Sequence, residues 1–301
     1  MAEPRLISIQ VRRSEKGLTL LVFIAAHLHL SKKKAKALLD RRHVFVNRQR
    51  VWIAHHCLAE GDLVEVLQPP ERPASTGEPV ILLEDRLFLV VDKPPGITAT
   101  GPGSIELRLA QALDSPSLRA AHRLDRDTSG CLLLGKSAAT LEYFERLFRE
   151  RRVKKTYHAI VAGRVTKDSF TIRSPIDGEQ AVTHVRTLDT SSEASHLLVF
   201  IETGRTHQIR RHLAARRHPV LGDRQYATSI PATERTVRIP RQMLHSYRLS
   251  FPHPATGELV VVTSPLPSDF RACLRRFSLD RAEGPKADST RILRLKIGWY
   301  M

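Results

Sequence analysis

The stretch His122-Arg123-Leu124-Asp125-Arg126-Asp127-Thr128-Ser129-Gly130, followed at once by Cys131-Leu132-Leu133-Leu134, constrains this chain more than any other. A dense polar run that empties into continuous apolar residues predicts a loop leading into a buried strand, and the strand would anchor the loop. Asp125 stands between two arginines. A guanidinium can grip a carboxylate through two parallel hydrogen bonds, so Asp125 is expected to be fixed in direction. An oriented carboxylate is a nucleophile or a base. A salt-bridge cluster in water would use the same residue types and contribute little. Asp127 is expected to cap the turn at Thr128-Ser129.

Length and charge narrow the partners. The 301 residues suit about two domains. With 48 Lys+Arg against 31 Asp+Glu the formal net charge is +17, which in a chain of 42% hydrophobic residues marks a globular protein that attracts polyanions, RNA or DNA first among them. No apolar run approaches the ~20 residues of a spanning helix, and Met1-Ala2-Glu3-Pro4-Arg5 lacks the apolar core of a secretory signal. A soluble, cytoplasmic monomer is expected, with no membrane partner. Cys57, Cys131 and Cys273 are few and far apart, so neither a disulfide framework nor a cysteine-rich metal site is suggested. The order His-Arg-Leu-Asp, with no matching downstream Asn, is not that of a kinase catalytic loop. Gly101-Pro102-Gly103 lacks the third glycine of a nucleotide loop.

The nine residues from His122 to Gly130 resemble the signature of the RluA-type pseudouridine synthases, enzymes that isomerise selected uridines of structured RNA to their C-glycosides. Three further blocks match that family in order: Glu84-Asp85 with Val90-Val91-Asp92-Lys93-Pro94-Pro95-Gly96; Lys155-Thr156-Tyr157-His158-Ala159-Ile160-Val161-Ala162-Gly163; and Gly204-Arg205-Thr206-His207-Gln208-Ile209-Arg210 with His218-Pro219-Val220-Leu221-Gly222-Asp223. The resemblance spans about 250 residues. It implies that Asp125 is the nucleophile, that Arg210 pairs with it, that Tyr157 stacks on the target uracil, and that Arg123 fills the gap left by an extruded base. His122, Arg205 and His207 are expected at the substrate. The Asp177 to Thr183 segment departs from the family in lacking a lysine ahead of Thr183. The Lys93-Pro94-Pro95-Gly96 turn reads physically as a stiff brace.

Residues 18 to 30 and Lys32 to Asp40 read as two helices, with Ser31 as N-cap of the second. Strands are expected at Val44-Phe45-Val46, Val51-Trp52-Ile53 and Leu63 to Leu67. This segment resembles the small RNA-binding module first known from a small-subunit ribosomal protein. Lys32, Lys33, Lys36 and Arg41 would then hold phosphates without reading bases. A solvated charged helix would have the same composition.

The resulting expectation is an α+β protein: a small α/β RNA-binding module at 17–67, a Pro-rich linker at 68–79, a catalytic domain at 80–277 built on a mixed, mainly antiparallel sheet, and a loose tail at 278–301. The activity implied is RNA pseudouridine synthesis, on ribosomal RNA by analogy, without cofactor or metal. Two other readings use some of the same residues. An inactive RNA-binding or assembly protein would have no use for Asp125. A carboxylate glycosidase or nucleosidase would need a second acid, and only Asp127 is at hand.

Overall fold

The computed structural model describes residues 5–40, 42–68, 80–227 and 239–280. The N-terminal unit is a four-stranded sheet, ordered β1-β4-β2-β3, of β1 (Arg5–Gln10), β2 (Val44–Val46), β3 (Gln49–Arg50) and β4 (Leu63–Gln68). Helices α1 (Leu20–His27) and α2 (Lys32–Asp40) share a core with it that includes Leu20, Phe23, Ile24, Ala35, Leu39 and Val64. Ser31 Oγ accepts from the Lys34 amide at 3.3 Å, the capping bond its position suggests. The strand anticipated at 51–53 falls instead on β3. Asn47 and Arg48 both hold positive φ, 51° and 65°, and so make a two-residue hairpin turn that pairs Val46 with Gln49. The return strand therefore begins at once. β1, ahead of residue 17, pairs along all of β4. Of the anticipated linker, Gln68 ends β4, and 69–79 lie outside the described residues.

The second sheet has ten strands, ordered β10-β11-β12-β9-β13-β8-β6-β5, with β14 on β13 and β7 on β8. They are β5 (Val80–Glu84), β6 (Phe88–Lys93), β7 (Arg119–Ala120), β8 (Ser129–Gly135), β9 (Lys154–Ala162), β10 (Ser169–Arg173), β11 (Val182–Thr190), β12 (Ala194–Ile201), β13 (Leu244–Pro252) and β14 (Leu259–Thr263). Among the described residues four helices accompany them: α3 (Ile105–Ala112), α4 (Ala138–Arg149), α5 (Gln208–Ala215) and α6 (Ser268–Arg276). The α+β class and the mainly antiparallel sheet agree with the sequence. Ser137 caps α4, accepting from the Thr140 amide. Helix α3, capped by Ser104, was not anticipated, nor was a strand beginning at Leu244. Leu279, placed in the expected tail, is buried and packs into the main core. The rest of that segment, 281–301, lies outside the described residues.

One pairing decides where the site lies. β8 is buried along its whole length, and it pairs in parallel with β13 through Ser129–His245 and Gly130–Ser246. A parallel pair puts both strand beginnings at the same end. The Asp125 loop, which enters β8, therefore sits beside Arg241 and Gln242, which enter β13. The approach needs a glycine: Gly130 has φ +108°, and a Cβ there would stand 2.2 Å from the Ser246 carbonyl oxygen.

Three buried histidines line this seam and the two strands beyond it, β9 and β12. His245 Nδ1 accepts from Ser129 Oγ at 3.0 Å and Nε2 donates to the Ser264 carbonyl at 3.1 Å. His158 and His196 share a hydrogen bond of 2.8 Å. Burial lowers their pKa values, to about 4 for His245, about 3 for His158 and about 4 for His196. An unfolded histidine titrates near 6.5, so between that pH and the folded values the unfolded chain binds more protons. Stability is then whole above about pH 6.5 and falls toward pH 4, by about 1.4 kcal/mol per pH unit for each histidine. Urea midpoints at pH 7, 5.5 and 4.5 check this, and a flat profile over that range would contradict it.

Candidate active site

Asp125 lies at the turn before β8, where the Thr128 amide donates to its carbonyl at 3.1 Å. Its carboxylate is held from across the fold. Arg210, one turn into α5, donates from Nη1 to Asp125 Oδ2 at 2.8 Å. The other edge of the same guanidinium pairs with Asp223, through Nε to Oδ2 and Nη2 to Oδ1, the latter at 3.0 Å. Arg210 is 6% exposed and Asp223 0%. Burial alone would lower the arginine's pKa, but the hydrogen bonds and charge of Asp223, with those of Asp125, more than offset it and raise it. Gln242 Nε2 reaches Asp125 Oδ2 at 3.4 Å and donates to Thr128 Oγ1 at 2.6 Å. His207 Nε2 is 3.8 Å from Asp125 Oδ1, and its Nδ1 is 3.0 Å from the Tyr226 hydroxyl. Burial comes first among the causes that lower the His207 pKa.

The loop around Asp125 is braced from behind. Lys93, 0% exposed, donates from Nζ to the carbonyls of Pro94, Ile97 and Arg126 at 2.9, 2.8 and 3.0 Å. Burial pushes its pKa down to about 7, against the pull of Asp127 and Asp125. The Gly96 amide donates to the Arg126 carbonyl, so the Lys93-Pro94-Pro95-Gly96 turn works as the brace its composition suggests. Arg241 forks onto Asp269 at 2.7 and 3.0 Å and donates to the Asp127 carbonyl at 3.2 Å. Gly222, at φ +74°, lets the Asp223 segment press on Arg241, whose carbonyl oxygen would be 2.0 Å from a Cβ there.

A cavity of about 490 Å³ opens over the carboxylate. Asp125, His207, Arg210 and Gln242 line it from the large sheet; Asp40 and Arg42 of the N-terminal unit line it from the other side. Among the described residues no group of three or more His, Cys, Asp or Glu side chains is placed to hold a metal ion.

The structure brings Asp125, Arg210 and His207 together and sends other expected residues elsewhere. The arginine that grips Asp125 is neither sequence neighbour: Arg126 pairs with Asp127 at 3.1 Å, and Arg123 is exposed. Asp127 accordingly spends its carboxylate on Arg126 rather than on the Thr128-Ser129 turn. His122 is turned inward, where Nε2 accepts from the Leu133 amide at 3.1 Å. Burial lowers its pKa to about 3, so it braces β8 as a neutral ring and is not free for substrate. Arg205 is exposed and pairs with Glu179 at 3.0 Å, outside the cavity wall. Tyr157 belongs to the main core at 5% exposure; burial raises its pKa, and the Asp125 charge adds to this. Tyr157 is not among the residues that line the cavity. Lys32 and Lys36 are exposed on α2; the Lys33 side chain and Arg41 lie outside the described residues. Sequence reasoning missed Gln242 and gave Asp223 no role, although Asp223 closes the last of the family blocks.

Comparison with known proteins bears on the family and the fold. The family described as RNA pseudouridylate synthase matches residues 87–215. Ribosomal large subunit pseudouridine synthase D of Nitrosomonas europaea is 36% identical over 65% of this chain and 64% of its own length, just under two thirds of that relative. An uncharacterised RNA pseudouridine synthase of Mycobacterium bovis is 34% identical over 84% of this chain and 92% of its own length. The solved human protein RNA Pseudouridylate Synthase Domain Containing 1 superposes with a TM-score of 0.57 at 29% identity, covering 67% of this chain and 90% of that one. The sequence likeness extends over most of the chain, and the fold is shared with a solved RNA pseudouridylate synthase domain protein. The chain belongs to the RNA pseudouridine synthase family.

Asp223→Asn leaves the buried Arg210 with half its countercharge. Breaking a buried pair costs about 3 kcal/mol or more, so a loss of that size in urea denaturation is expected. A loss under about 1 kcal/mol would mean that Asp223 does not anchor Arg210.

Proposed function

We propose that this chain isomerises uridines of ribosomal RNA to pseudouridine, with Asp125 as the nucleophile. The observation that carries the reading is the Arg210 Nη1 to Asp125 Oδ2 contact of 2.8 Å at the wall of an open cavity. The reaction breaks the bond from uracil N1 to ribose C1′ and makes one from C5 to C1′. C5 loses a proton and N1 gains one, with no net redox change. Asp125 adds to uracil C6 or ribose C1′ and leaves again, which the arginine clamp favours by fixing the attacking oxygen. Arg210 and Gln242 hold Asp125, His207 borders the base, and Tyr157 packs in the core behind the carboxylate.

The target uridine has to leave its stack, at a cost of about a few kcal/mol, so loops and bulges are the preferred substrates. Arg123, exposed two residues before the nucleophile, is suited to fill the vacated space. Ribosomal RNA as the substrate follows the relative from Nitrosomonas, whose name gives it that role. The protein acts as a monomer in the cytoplasm, and no helix among the described residues is long and apolar enough to cross a membrane. Lys32, Lys33, Lys36 and Arg41 of the N-terminal unit hold RNA phosphates.

Incubating ribosomal RNA with the protein and digesting it to nucleosides tests the reading: pseudouridine is expected, whereas released uracil would indicate hydrolysis and unchanged RNA an inactive binder. Asp125→Asn should abolish the product while leaving RNA affinity within about a few-fold, since the amide keeps the shape without the nucleophile. Product at the normal rate would remove Asp125 from the chemistry. Neutralising Lys32, Lys33, Lys36 and Arg41 together should weaken every RNA alike. It should also flatten the slope of log affinity against log salt by about 0.7 for each single-strand phosphate that is no longer neutralised. An unchanged slope would mean that this helix faces water.

A further inference from the structure

Two arginines of the N-terminal unit reach the segment that carries Asp223. Arg50 Nη1 donates to the Asp223 carbonyl at 3.0 Å. Arg42 Nη1 donates to the Arg224 carbonyl at 2.8 Å and to that of Gln225 at 3.3 Å. Both guanidiniums are seated on aromatic rings of their own unit, Arg42 at 4.2 Å from the Trp52 centroid and Arg50 at 5.0 Å from that of Phe45. Such stacking fixes a planar cation in direction. Burial lowers both pKa values, Arg50 to about 10, while the Asp223 charge pulls each back up. A guanidinium nevertheless remains protonated in a folded protein. Charge-assisted bonds to carbonyls are among the stronger ones a side chain makes.

Asp223 is consequently held at two places that have different origins. Its carbonyl takes Arg50 from the N-terminal unit, and its carboxylate takes Arg210 and also accepts from the Gln225 and Tyr226 amides at 2.8 and 3.1 Å. We infer that the N-terminal unit is a working part of the active site: Arg50 and Arg42 position the Asp223 to Gln225 segment and, through it, the Arg210–Asp125 pair. The inference rests on the pseudouridine synthase reading. Arg50 is the clearer case, a positioning residue, because it does not border the cavity and can act on the reaction only through the segment it holds. A unit that served merely to gather RNA would need no arginine on these carbonyls, and its loss would weaken binding without slowing bound substrate.

The test uses full-length Arg50→Ala, Arg42→Ala and Arg50→Lys. Three quantities are measured for each: RNA affinity, the single-turnover rate of pseudouridine formation at saturating enzyme, and hydrogen exchange at the Gln225 and Tyr226 amides. Both alanine variants should speed that exchange and slow turnover by about ten-fold or more, since small misplacements of a reacting group cost rate steeply. Affinity should stay within about three-fold, because both guanidiniums are engaged with the 223–225 carbonyls and the proposed phosphate contacts of α2 are untouched. Arg50→Lys keeps a charged donor and should recover most of the rate. An unchanged rate at saturation, or unchanged exchange, overturns the inference. Should Arg50→Ala fail to fold by circular dichroism, Arg42→Ala, nearer the surface, decides by the same measurements. Wild-type protein that makes no pseudouridine would sink the functional reading instead, and exchange would still show whether the docking holds.

Discussion

The site depends on one guanidinium bridging two carboxylates. Arg210 turns one edge to Asp223 and the end of the fork to Asp125. A cation this buried would be costly alone, and a single carboxylate would pair with it and leave nothing directed at substrate. With Asp223 fully buried and Asp125 on the cavity wall, the inner partner satisfies the cation and the outer one is left oriented toward open space. The remaining features of the fold serve that bridge. The parallel seam between β8 and β13 brings Gln242 to Asp125, Gly130 allows the strands to close, and Gly222 allows the Asp223 segment to reach Arg241.

Charge in this protein works on two scales. The net excess of +17 supplies a diffuse attraction for a polyanion. In the cleft and behind it, however, most arginines already have acceptors. Arg126 is on Asp127, Arg241 on Asp269, and Arg42 and Arg50 on carbonyls of the 223–225 segment. Neutralising an arginine at random is therefore not equivalent to removing a phosphate contact. Several of these side chains hold the shape of the site, and the exposed lysines of α2 are better candidates for binding without structural consequence.

The sequence disclosed elements wherever a local pattern fixed them. The Ser31 cap and the continuous apolar run of β8 both fall where capping and the apolar pattern put them. Local reasoning failed where the deciding partner is remote. It assigned the Asp125 clamp to Arg123 and Arg126 because they are adjacent, whereas the clamp comes from Arg210, 85 positions away, a partner that only the family resemblance supplied. His122 was expected at the substrate alongside the resemblance, yet its ring accepts from the Leu133 amide of β8. Gln242 carried no signal at all, since a glutamine before a strand is ordinary until the parallel seam delivers it to the loop. The strand near 51–53 was displaced by a turn whose two positive φ values are adopted by Asn47 and Arg48, and an arginine gives little hint of that conformation.

If the bridge is the central feature, its geometry should matter beyond its charge. Arg210→Lys keeps the positive charge but replaces a planar fork with a single ammonium, which cannot span both carboxylates in the same way. The most direct measurement is the single-turnover rate of pseudouridine formation by this variant at saturating enzyme. A fall of about a hundred-fold with RNA affinity unchanged is expected, the scale on which misplaced reacting groups lose rate. A rate near that of the wild type would show that charge alone suffices, and would contradict the account.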